Sequence, residues 1–194
     1  FEVAMVNYDL KNCMLEVEKL LKFIVFEFYR SDFAHLVRVD AELILGSSFP
    51  VFEYEQLEDR YKLDKKGLGK YDRVIATNRP AFVINFPREI ASWMAKSVDN
   101  KYSLSFNLLV PLIGEIAEGN EKQTNLTLLS RKFKMANVET QLSWYTRMMP
   151  YSDFPLAGFG IGVERLLMWI LGLKNIRQIN PIYLPYIFQS QNPH

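Results

Sequence analysis

The fold of this chain is decided by Gly158-Phe159-Gly160-Ile161-Gly162-Val163-Glu164-Arg165, a stretch that runs directly into the largely apolar residues 166–172. Alternate residues of an extended strand face opposite sides, so the three glycines share one face and leave it as bare backbone. Glycine occurs inside strands where another group approaches the backbone closely, and a flat nucleobase is such a group. Arg165 follows where the strand gives way to a helix, and its planar guanidinium can stack on a ring or bind a phosphate. We therefore predict a strand over 157–163 with a nucleotide site beside it.

A packing role is the alternative for these glycines. They would then permit close contact between strand and helix, with Glu164 and Arg165 as a surface pair. The dinucleotide pattern G-x-G-x-x-G is not satisfied because position 163 is Val, and the phosphate-loop pattern G-x-x-x-x-G-K-[ST] is missing from the sequence. These two nucleotide-binding folds are excluded, and both roles of the glycines stay open at this point.

Composition predicts a single well-packed domain over residues 1–194. The 194 residues are 49% hydrophobic and 14% aromatic, which is enough for one sizeable core. The net charge is only +1, so a nucleic-acid partner would need a local basic patch rather than a global basic field.

Cysteine usage and apolar run lengths favour a soluble cytoplasmic protein with no membrane partner. The lone Cys13 cannot form an internal disulfide, which favours a reducing compartment, and one cysteine with two histidines argues against structural zinc. The apolar runs are shorter than the roughly 18–20 residues that a membrane-spanning helix needs. The chain opens on Phe1 instead of Met, and residues 1–5 resemble the end of a strand, so we expect upstream sequence.

The order of elements favours an α+β fold in which an antiparallel sheet is flanked by helices. Apolar residues at helical spacing predict a first helix over 9–29, with Asp9 as its N-cap. Further strands are predicted over 49–54, 80–87 and 102–110, and further helices over 55–62, 125–136 and 139–149. The Lys and Gly content of 64–69 predicts a mobile loop.

Other polar residues give weaker indications. Glu115 lies in the otherwise apolar segment 109–116, where a carboxylate costs free energy unless it is paired or binds metal. A salt bridge to arginine or exposure to solvent would explain it equally well. In 85–90 and 175–181 a capping or turn role is favoured. His35 and His194 lack a Ser, Cys or Asp framework, so we predict no catalytic triad.

Four segments together resemble a known family. Residues 158–181, GFGIGVERLLMWILGLKNIRQINP, follow the pattern GFGLGFERLVM…G…NIRDVIPFPR. NFPREI at 85–90 is similar to YPKEI, and LLVPLIGEI at 108–116 is similar to DLLVPGIGEI. FEVAMVNYDLKNCM at 1–14 resembles the segment that closes a second signature motif. In these segments the chain resembles the class II aminoacyl-tRNA synthetases, most closely the asparaginyl branch of the aspartate and asparagine group. The resemblance covers nearly the whole chain and is weakest between about residues 30 and 80.

This resemblance implies an antiparallel sheet that holds ATP, and a ligase that activates asparagine or aspartate as an adenylate with ATP and Mg²⁺. The amino acid would then pass to tRNA, a further implied partner, and family members form homodimers. Such chemistry needs reactants held in line and the charge of the phosphates neutralised.

The same likeness assigns roles to individual residues. Arg165 would stack on adenine and Glu115 would hold Mg²⁺ near the phosphates, so these two are the candidate catalytic residues. The implied floor of the ATP pocket comprises Gly158, Gly160 and Gly162. The implied substrate-binding residues are Gly114 and Lys122, and Asn107 is a weak metal ligand beside Glu115.

Several positions depart from the family pattern. Asn107 stands where the family has an acidic partner of Glu115, eight residues earlier, so we expect weaker metal binding. Residues 118–123 read EGNEKQ where the family usually has GGSQRE, and Lys122 replaces an arginine that recognises the amino acid. The family's YLDLRRYG…PHSGFG becomes YTRMMPY at 145–151 and PLAG at 155–158, which removes an Asp, an Arg pair and a His. Two further changes replace the Asp of NIRD by Gln178 and the FPR that follows by Ile182-Tyr183-Leu184.

Three functions are consistent with this pattern. The first is an asparaginyl-tRNA synthetase-like ligase. The second is a catalytically diverged paralogue that binds nucleotide or RNA, or regulates another protein. The third is an asparagine synthetase that uses ammonia instead of tRNA. The family's first signature motif and the arginine of its second motif would lie upstream of Phe1. An arginine-bearing second motif there would favour the enzyme, and its loss would favour the binding paralogue.

Overall fold

The computed structural model describes residues 1–63, 67–98, 101–148 and 154–179. Its strands are β1 Glu2–Val6, β2 Val51–Glu53, β3 Ala81–Ile84, β4 Ser97–Val98, β5 Tyr102–Ser103, β6 Ser105–Val110, β7 Gly114–Glu121 and β8 Leu156–Ile161. Its helices are α1 Leu10–Arg30, α2 Ala41–Gly46, α3 Tyr54–Tyr61, α4 Asp72–Ile75, α5 Leu126–Ala136, α6 Ser143–Met148 and α7 Val163–Leu171. Short 3₁₀ turns cover Ala34–Leu36, Gly69–Tyr71 and Ile176–Gln178.

The described strands form a six-stranded sheet in the order β1-β8-β7-β6-β3-β2, and β4 pairs separately with β5. The predicted α+β fold, with a sheet flanked by helices, is confirmed. One part of that prediction is wrong: β2 runs parallel to β3, so the sheet is mixed rather than wholly antiparallel. Neighbouring strands elsewhere in the sheet are antiparallel.

The start of α1 and its buried face both follow from the local sequence. The Asp9 side chain accepts a hydrogen bond from the backbone N–H of Asn12 at 2.7 Å, which confirms the predicted N-cap. Along α1, Cys13, Val17 and Leu21 follow one another at helical spacing and are completely buried against the sheet. Burial raises the pKa of the Cys13 thiol to about 12, so the thiol stays protonated.

The two faces of the sheet are covered differently. One face packs against α1, α2 and α7 and forms the main core, to which β6 contributes Phe106, Leu108 and Val110. On the opposite face, α3 and α4 cover the β3 side, where a smaller core includes Val83 and Leu109. The remainder of that opposite face, on β6, β7 and β8, carries polar side chains and glycines.

Element boundaries correct three predictions. The glycine strand ends at Ile161, because Gly162 is already the N-cap of α7. The helix predicted over 139–149 begins only at Ser143. The strand predicted over 102–110 is interrupted at Leu104, whose N–H donates to Lys96 O at 2.7 Å instead of joining the sheet ladder.

Two predicted loops are also described in part. Within the predicted mobile loop 64–69, residues 64–66 lie outside the described residues, whereas Leu68 is buried. In 175–181, Asn175 and Gln178 form a capping box, which confirms the turn role for the described part of that segment. None of the described helices is long and apolar enough to cross a membrane.

Leu112 lies in the turn between β6 and β7, where its backbone is strained. Its φ is 66°, in the left-handed region, and its side chain is 83% exposed. We expect Leu112→Gly to raise the free energy of unfolding by about 0.5–1 kcal/mol, because glycine adopts this conformation without strain. Leu112→Ala retains a β-carbon and should bring no gain. Urea unfolding of both variants measures the difference, and equal stability would contradict the strain.

Candidate functional site

The candidate site lies on the polar face of β6, β7 and β8. Directly opposed residues of antiparallel strands point to the same face. Register therefore places two rows of side chains on this face: Asn107, Glu118 and Gly160 in one, and Ser105, Asn120 and Gly158 in the next. On β8 each row has a glycine, as the alternating glycines predict, and β1 lies beyond it.

The glycines do not share one role. A β-carbon on Gly158 would lie 2.4 Å from the carbonyl oxygen of Val3 in β1, so packing alone requires glycine there. On Gly160 the nearest atom would be the Glu2 Cγ at 3.6 Å, and on Gly162 the Arg165 Cβ at 3.8 Å, which are ordinary contacts. The packing interpretation thus accounts for Gly158 and leaves Gly160 and Gly162 unexplained.

This difference can be measured with two matched substitutions. We expect Gly158→Ala to lower the free energy of unfolding by about 2–3 kcal/mol, because the backbone of β1 must move. Gly160→Ala should change it by less than about 0.5 kcal/mol, since the added methyl group meets no backbone atom closely. Urea unfolding gives both values. Equal losses in the two variants would contradict the separate roles.

Two cavities border this surface, and a third lies between α4, the turn from β6 to β7, and α7. The glycine cavity, about 480 Å³, includes Glu118, Asn120, Lys122, Gly158 and Gly160. The carboxylate cavity, about 300 Å³, includes Asp72, Ser105, Asn107, Glu115 and Glu118. The basic cavity, about 260 Å³, includes Arg73, Leu112, Arg165, Met168 and Lys174.

Glu115 is held in the carboxylate cavity by a neighbour on β6. The Asn107 side-chain amide donates a hydrogen bond to the Glu115 carboxylate. Burial raises the pKa of Glu115, the charges of Glu118 and Asp72 raise it further, and Arg165 opposes the shift. The site therefore concentrates negative charge that an added cation would relieve.

The donor set of this cavity fits a divalent cation that also binds phosphate. Mg²⁺ is usually held by one or two carboxylates together with substrate phosphates and water. Asn107 replaces one expected carboxylate, but Glu118 lies directly opposite Asn107 on β7 and lines the same cavity as Glu115. Among the described residues, no group of three or more His, Cys, Asp or Glu side chains could hold a metal ion. Substrate phosphates and water would therefore have to complete the coordination of Mg²⁺.

Arg165 connects α7 to this carboxylate region. It lies exposed in the first turn of α7, and its Nη1 donates to the backbone oxygen of Glu115 at 2.7 Å. The guanidinium is thus fixed beside Glu115 while it also lines the basic cavity. The structure brings together the two residues that the sequence identified as candidate catalytic groups, 50 positions apart in the chain.

The basic cavity contains two residues that the sequence analysis missed. Arg73 and Lys174 line it together with Arg165, and none of the lining residues is a carboxylate. Three cationic side chains around one cavity are suited to a polyanion. Arg73 lies where the family resemblance is weakest, so its only sequence signal was a charged residue after the glycines of 67–69.

The two predicted substrate-binding residues differ in position. Lys122 lines the glycine cavity, where burial lowers the pKa of its ammonium group, and its Nζ lies 3.9 Å from the Met94 Sδ. Gly114 has a φ of 88°, and a β-carbon there would lie 2.4 Å from the Asp72 carboxylate. It is not among the residues that line the three cavities. Gly114 thus allows α4 to approach β7.

The known proteins that this chain resembles belong to one family. Residues 1–183 match the family described as tRNA synthetases class II (D, K and N). Asparagine–tRNA ligase of Mycoplasma genitalium is 30% identical, with 93% of this chain and 46% of the relative covered. The corresponding ligase of Acetivibrio thermocellus is 31% identical, with coverages of 91% and 39%.

Solved structures agree with these relatives. Asparaginyl-tRNA synthetase from Pyrococcus horikoshii superposes with a TM-score of 0.84 at 26% identity, covering 92% of this chain and 47% of that one. The same synthetase complexed with asparaginyl-adenylate gives a TM-score of 0.83 at 25% identity, with coverages of 92% and 45%. The chain spans less than half the length of these relatives.

Proposed function

Because this chain belongs to the class II tRNA synthetases of the D, K and N group, we propose that it forms the adenylate site of an asparagine-activating ligase. The proposed reaction joins asparagine to the α-phosphate of ATP and releases pyrophosphate. The asparaginyl group then passes to tRNA. Asparagine, ATP and tRNA are the proposed substrates, and a second copy of the protein is the proposed partner in a homodimer.

The observation that carries this proposal is that the three cavities are linked by residues they share or that hydrogen-bond to one another. Glu118 lines both the glycine cavity and the carboxylate cavity. Glu115 lines the carboxylate cavity, and its backbone oxygen binds Arg165, which lines the basic cavity. One extended ligand with an ammonium-bearing amino-acid end and a phosphate chain matches this sequence of surfaces. An aminoacyl adenylate and its departing pyrophosphate form such a ligand.

The proposed step is an in-line displacement at the α-phosphorus. An oxygen of the asparagine carboxylate forms the new bond to phosphorus, while the bond to the oxygen bridging the α- and β-phosphates breaks. That bridging oxygen leaves with the pyrophosphate and takes the electron pair. Arg73, Arg165 and Lys174 would stabilise the charge that develops on the leaving group.

The bare backbone at Gly160 would allow the nucleotide to lie close to β8, beside Arg165. In this arrangement the guanidinium stacks on adenine and stays anchored by the Glu115 carbonyl. Mg²⁺, held by Glu115 and Glu118, would supply further neutralisation of phosphate charge when bound. The hydrogen bond from the Asn107 side-chain amide orients the Glu115 carboxylate.

A nucleotide-binding paralogue without turnover is the second candidate. It is favoured by the hydrogen bond from Asn107 to Glu115, which occupies a carboxylate oxygen that a metal would otherwise use. Lys122, in place of the family's arginine, also lacks the planar fork that binds a carboxylate or amide at two points. Both features weaken catalysis while the nucleotide surface is retained.

Pyrophosphate exchange separates these functions. The full-length protein is incubated with labelled pyrophosphate, ATP and Mg²⁺, with asparagine, aspartate or neither amino acid. Asparagine-dependent formation of labelled ATP is the expected result. Binding of ATP by folded protein, with no exchange for either amino acid, would reject the ligase and favour the paralogue. Charging of tRNA, tested beside ammonia-dependent asparagine formation, then distinguishes the ligase from an asparagine synthetase.

A further inference from the structure

The turn between β6 and β7 presents a leucine in a backbone conformation that favours glycine. Leu112 has a φ of 66°, and its exposed fraction of 83% is the highest of the large apolar side chains in the described part of the chain. The pattern DLLVPGIGEI, which residues 108–116 resemble, has glycine at this position. Leucine therefore costs stability here and buries little apolar surface in return. Strained positions cluster where a protein contacts a ligand, so Leu112 is a candidate contact residue.

Leu112 lies at the side of a groove between the start of α2, the β6–β7 turn and the end of α7, which we call the turn groove. The groove has a volume of about 500 Å³, and its apolar lining includes Val39, Ile44, Ile113 and Trp169. It shares no lining residue with the glycine cavity or the carboxylate cavity. A mostly apolar cleft of this size is suited to hold apolar side chains of a ligand.

The charged side chains of the turn groove favour an acidic occupant. Arg38 and Lys174 line it, and neither forms an ion pair with an acidic side chain among the described residues. The Arg38 guanidinium donates to two backbone carbonyl oxygens, so its charge is not neutralised. Asp40 is the one acidic lining residue in the described part of the chain, and its carboxylate already accepts from the Leu43 N–H as the cap of α2.

The basic cavity extends this positive charge on the other side of Leu112. Its lining also includes Leu112, together with Arg73, Arg165 and Lys174. The two cavities that meet at this leucine thus carry four basic side chains and one acidic side chain between them. An apolar contact flanked by cations is complementary to a segment in which carboxylates flank a large apolar residue.

Two other occupants fit these surfaces less well. A second copy of the chain, bound through the same face, would bring like-charged arginine and lysine side chains together across the two-fold axis. Single-stranded RNA is usually held by bases stacked on accessible aromatic rings. Trp169 is the one aromatic lining residue of the described turn groove, and it is only 6% exposed. An acidic peptide segment matches both the charge and the apolar lining.

We propose that the turn groove docks an acidic segment of a protein partner, with Leu112 as the central apolar contact. A large apolar side chain of the segment packs against Leu112 in the groove, and its neighbouring carboxylates pair with Arg38 and Lys174. Glycine at position 112 would relieve the backbone strain and remove this contact. Docking uses a surface outside the glycine and carboxylate cavities, so it does not depend on adenylate formation.

Parallel selections from a random dodecapeptide phage library supply the probes for the test. The targets are the immobilised full-length protein and its Leu112→Gly variant. We expect peptides enriched on the natural protein alone, with acidic residues on both sides of a large apolar residue. Dissociation constants of the synthetic peptides are then measured by fluorescence anisotropy, without ATP or amino acid. Binding should weaken by about 10-fold or more in Leu112→Gly.

Matched variants separate the contact from folding and from general exposure. Leu112→Gly is expected to be more stable than the natural protein, so its loss of binding would not reflect unfolding. Leu112→Asn, which also tolerates a left-handed φ, repeats the loss with a polar side chain. Leu112→Met should stay within about 3-fold of the natural affinity, because it retains apolar bulk. Leu128→Ala is the control, since Leu128 is exposed and lines none of these cavities.

Arg38→Gln tests the charge. It should weaken peptide binding by about 3-fold or more and reduce the loss of affinity that added salt causes. Affinity and salt dependence equal to those of the natural protein would contradict the proposed ion pair.

Several results would overturn the docking site. They are no peptide enriched on the natural protein alone, enriched peptides that lack acidic residues, and equal affinity for the natural protein and Leu112→Gly. Leu112-dependent binding of a random-sequence RNA oligonucleotide would assign the groove to RNA instead. A molar mass that Leu112→Gly halves in sedimentation would assign it to a second copy. Pyrophosphate exchange by the natural protein tests the proposed function separately from all of these results.

Discussion

Arg165→Ala is expected to lower asparagine-dependent pyrophosphate exchange by about 10²–10³-fold, the loss typical when one preorganised charge-stabilising group is removed. Arg165 lines the basic cavity and lies in the first turn of α7, next to the strand that bears Gly160. Its removal takes away the proposed stacking partner of adenine and one of three cations facing the leaving group. Both losses fall on the reacting nucleotide.

The effect on stability should be small by comparison. Arg165 is exposed, and its removal breaks one hydrogen bond to the Glu115 backbone, worth about 0.5–1.5 kcal/mol. Arg177→Ala is the matched control, because Arg177 is also exposed, lies in the turn after α7 and lines none of the three cavities. It should leave exchange within about 2-fold of the natural rate. Exchange by Arg165→Ala within about 3-fold of the natural rate would contradict the assigned role.

Glu115→Gln is expected to separate activity from stability. Exchange should fall by about 100-fold or more, because the proposed Mg²⁺ site loses one of its two carboxylates. The melting temperature at pH 7 should nevertheless rise. Burial raises the pKa of Glu115, so its ionised form is disfavoured in the folded protein, and glutamine removes that ionisation.

The sign of the pH dependence follows from the same shift. A carboxyl group whose pKa is raised by folding contributes stability below its ordinary pKa of 4.5, and this contribution is lost as pH rises through the folded-state pKa. The advantage of Glu115→Gln should therefore be present at pH 7 and shrink toward pH 4. Thermal melts at both pH values measure it.

Glu121→Gln provides an internal comparison for this experiment. Its carboxylate is paired with Lys96 at 2.5 Å, so the substitution removes a favourable ion pair and should lower the melting temperature at pH 7. Opposite signs for two Glu→Gln changes on one strand would locate the unpaired charge at Glu115. A lower melting temperature for Glu115→Gln at pH 7 would contradict that placement.

The sequence predicted those helices and strands that depend on neighbouring residues, such as caps, apolar spacing and flanking prolines. Helix α1 follows from apolar spacing and the Asp9 cap, and β3 follows from an apolar run between two prolines. The parallel pairing of β2 with β3 was not predictable in this way. It depends on the path of the chain through 54–80, and β2 is only three residues long.

The candidate site also has some features that local sequence predicts and others that depend on tertiary contacts. The glycine alternation predicted which face of β8 is bare, but the requirement for glycine at Gly158 comes from β1, whose pairing is a tertiary contact. Arg73 could not be assigned from a short charged helix alone, since it lines the same cavity as Arg165 only through the packing of α4 near β7. Side chains brought together by distant segments have no pattern in the local sequence.

The polar face of β6, β7 and β8 is the proposed aminoacyl-adenylate site. A crystal structure of the full-length protein with asparaginyl sulfamoyl adenosine, a stable analogue of the adenylate, tests this proposal most directly. We expect adenine against the Arg165 guanidinium, the sulfamoyl group above Gly160, and the asparagine side chain in the glycine cavity. Ligand density elsewhere on the protein, with this face vacant, would contradict it.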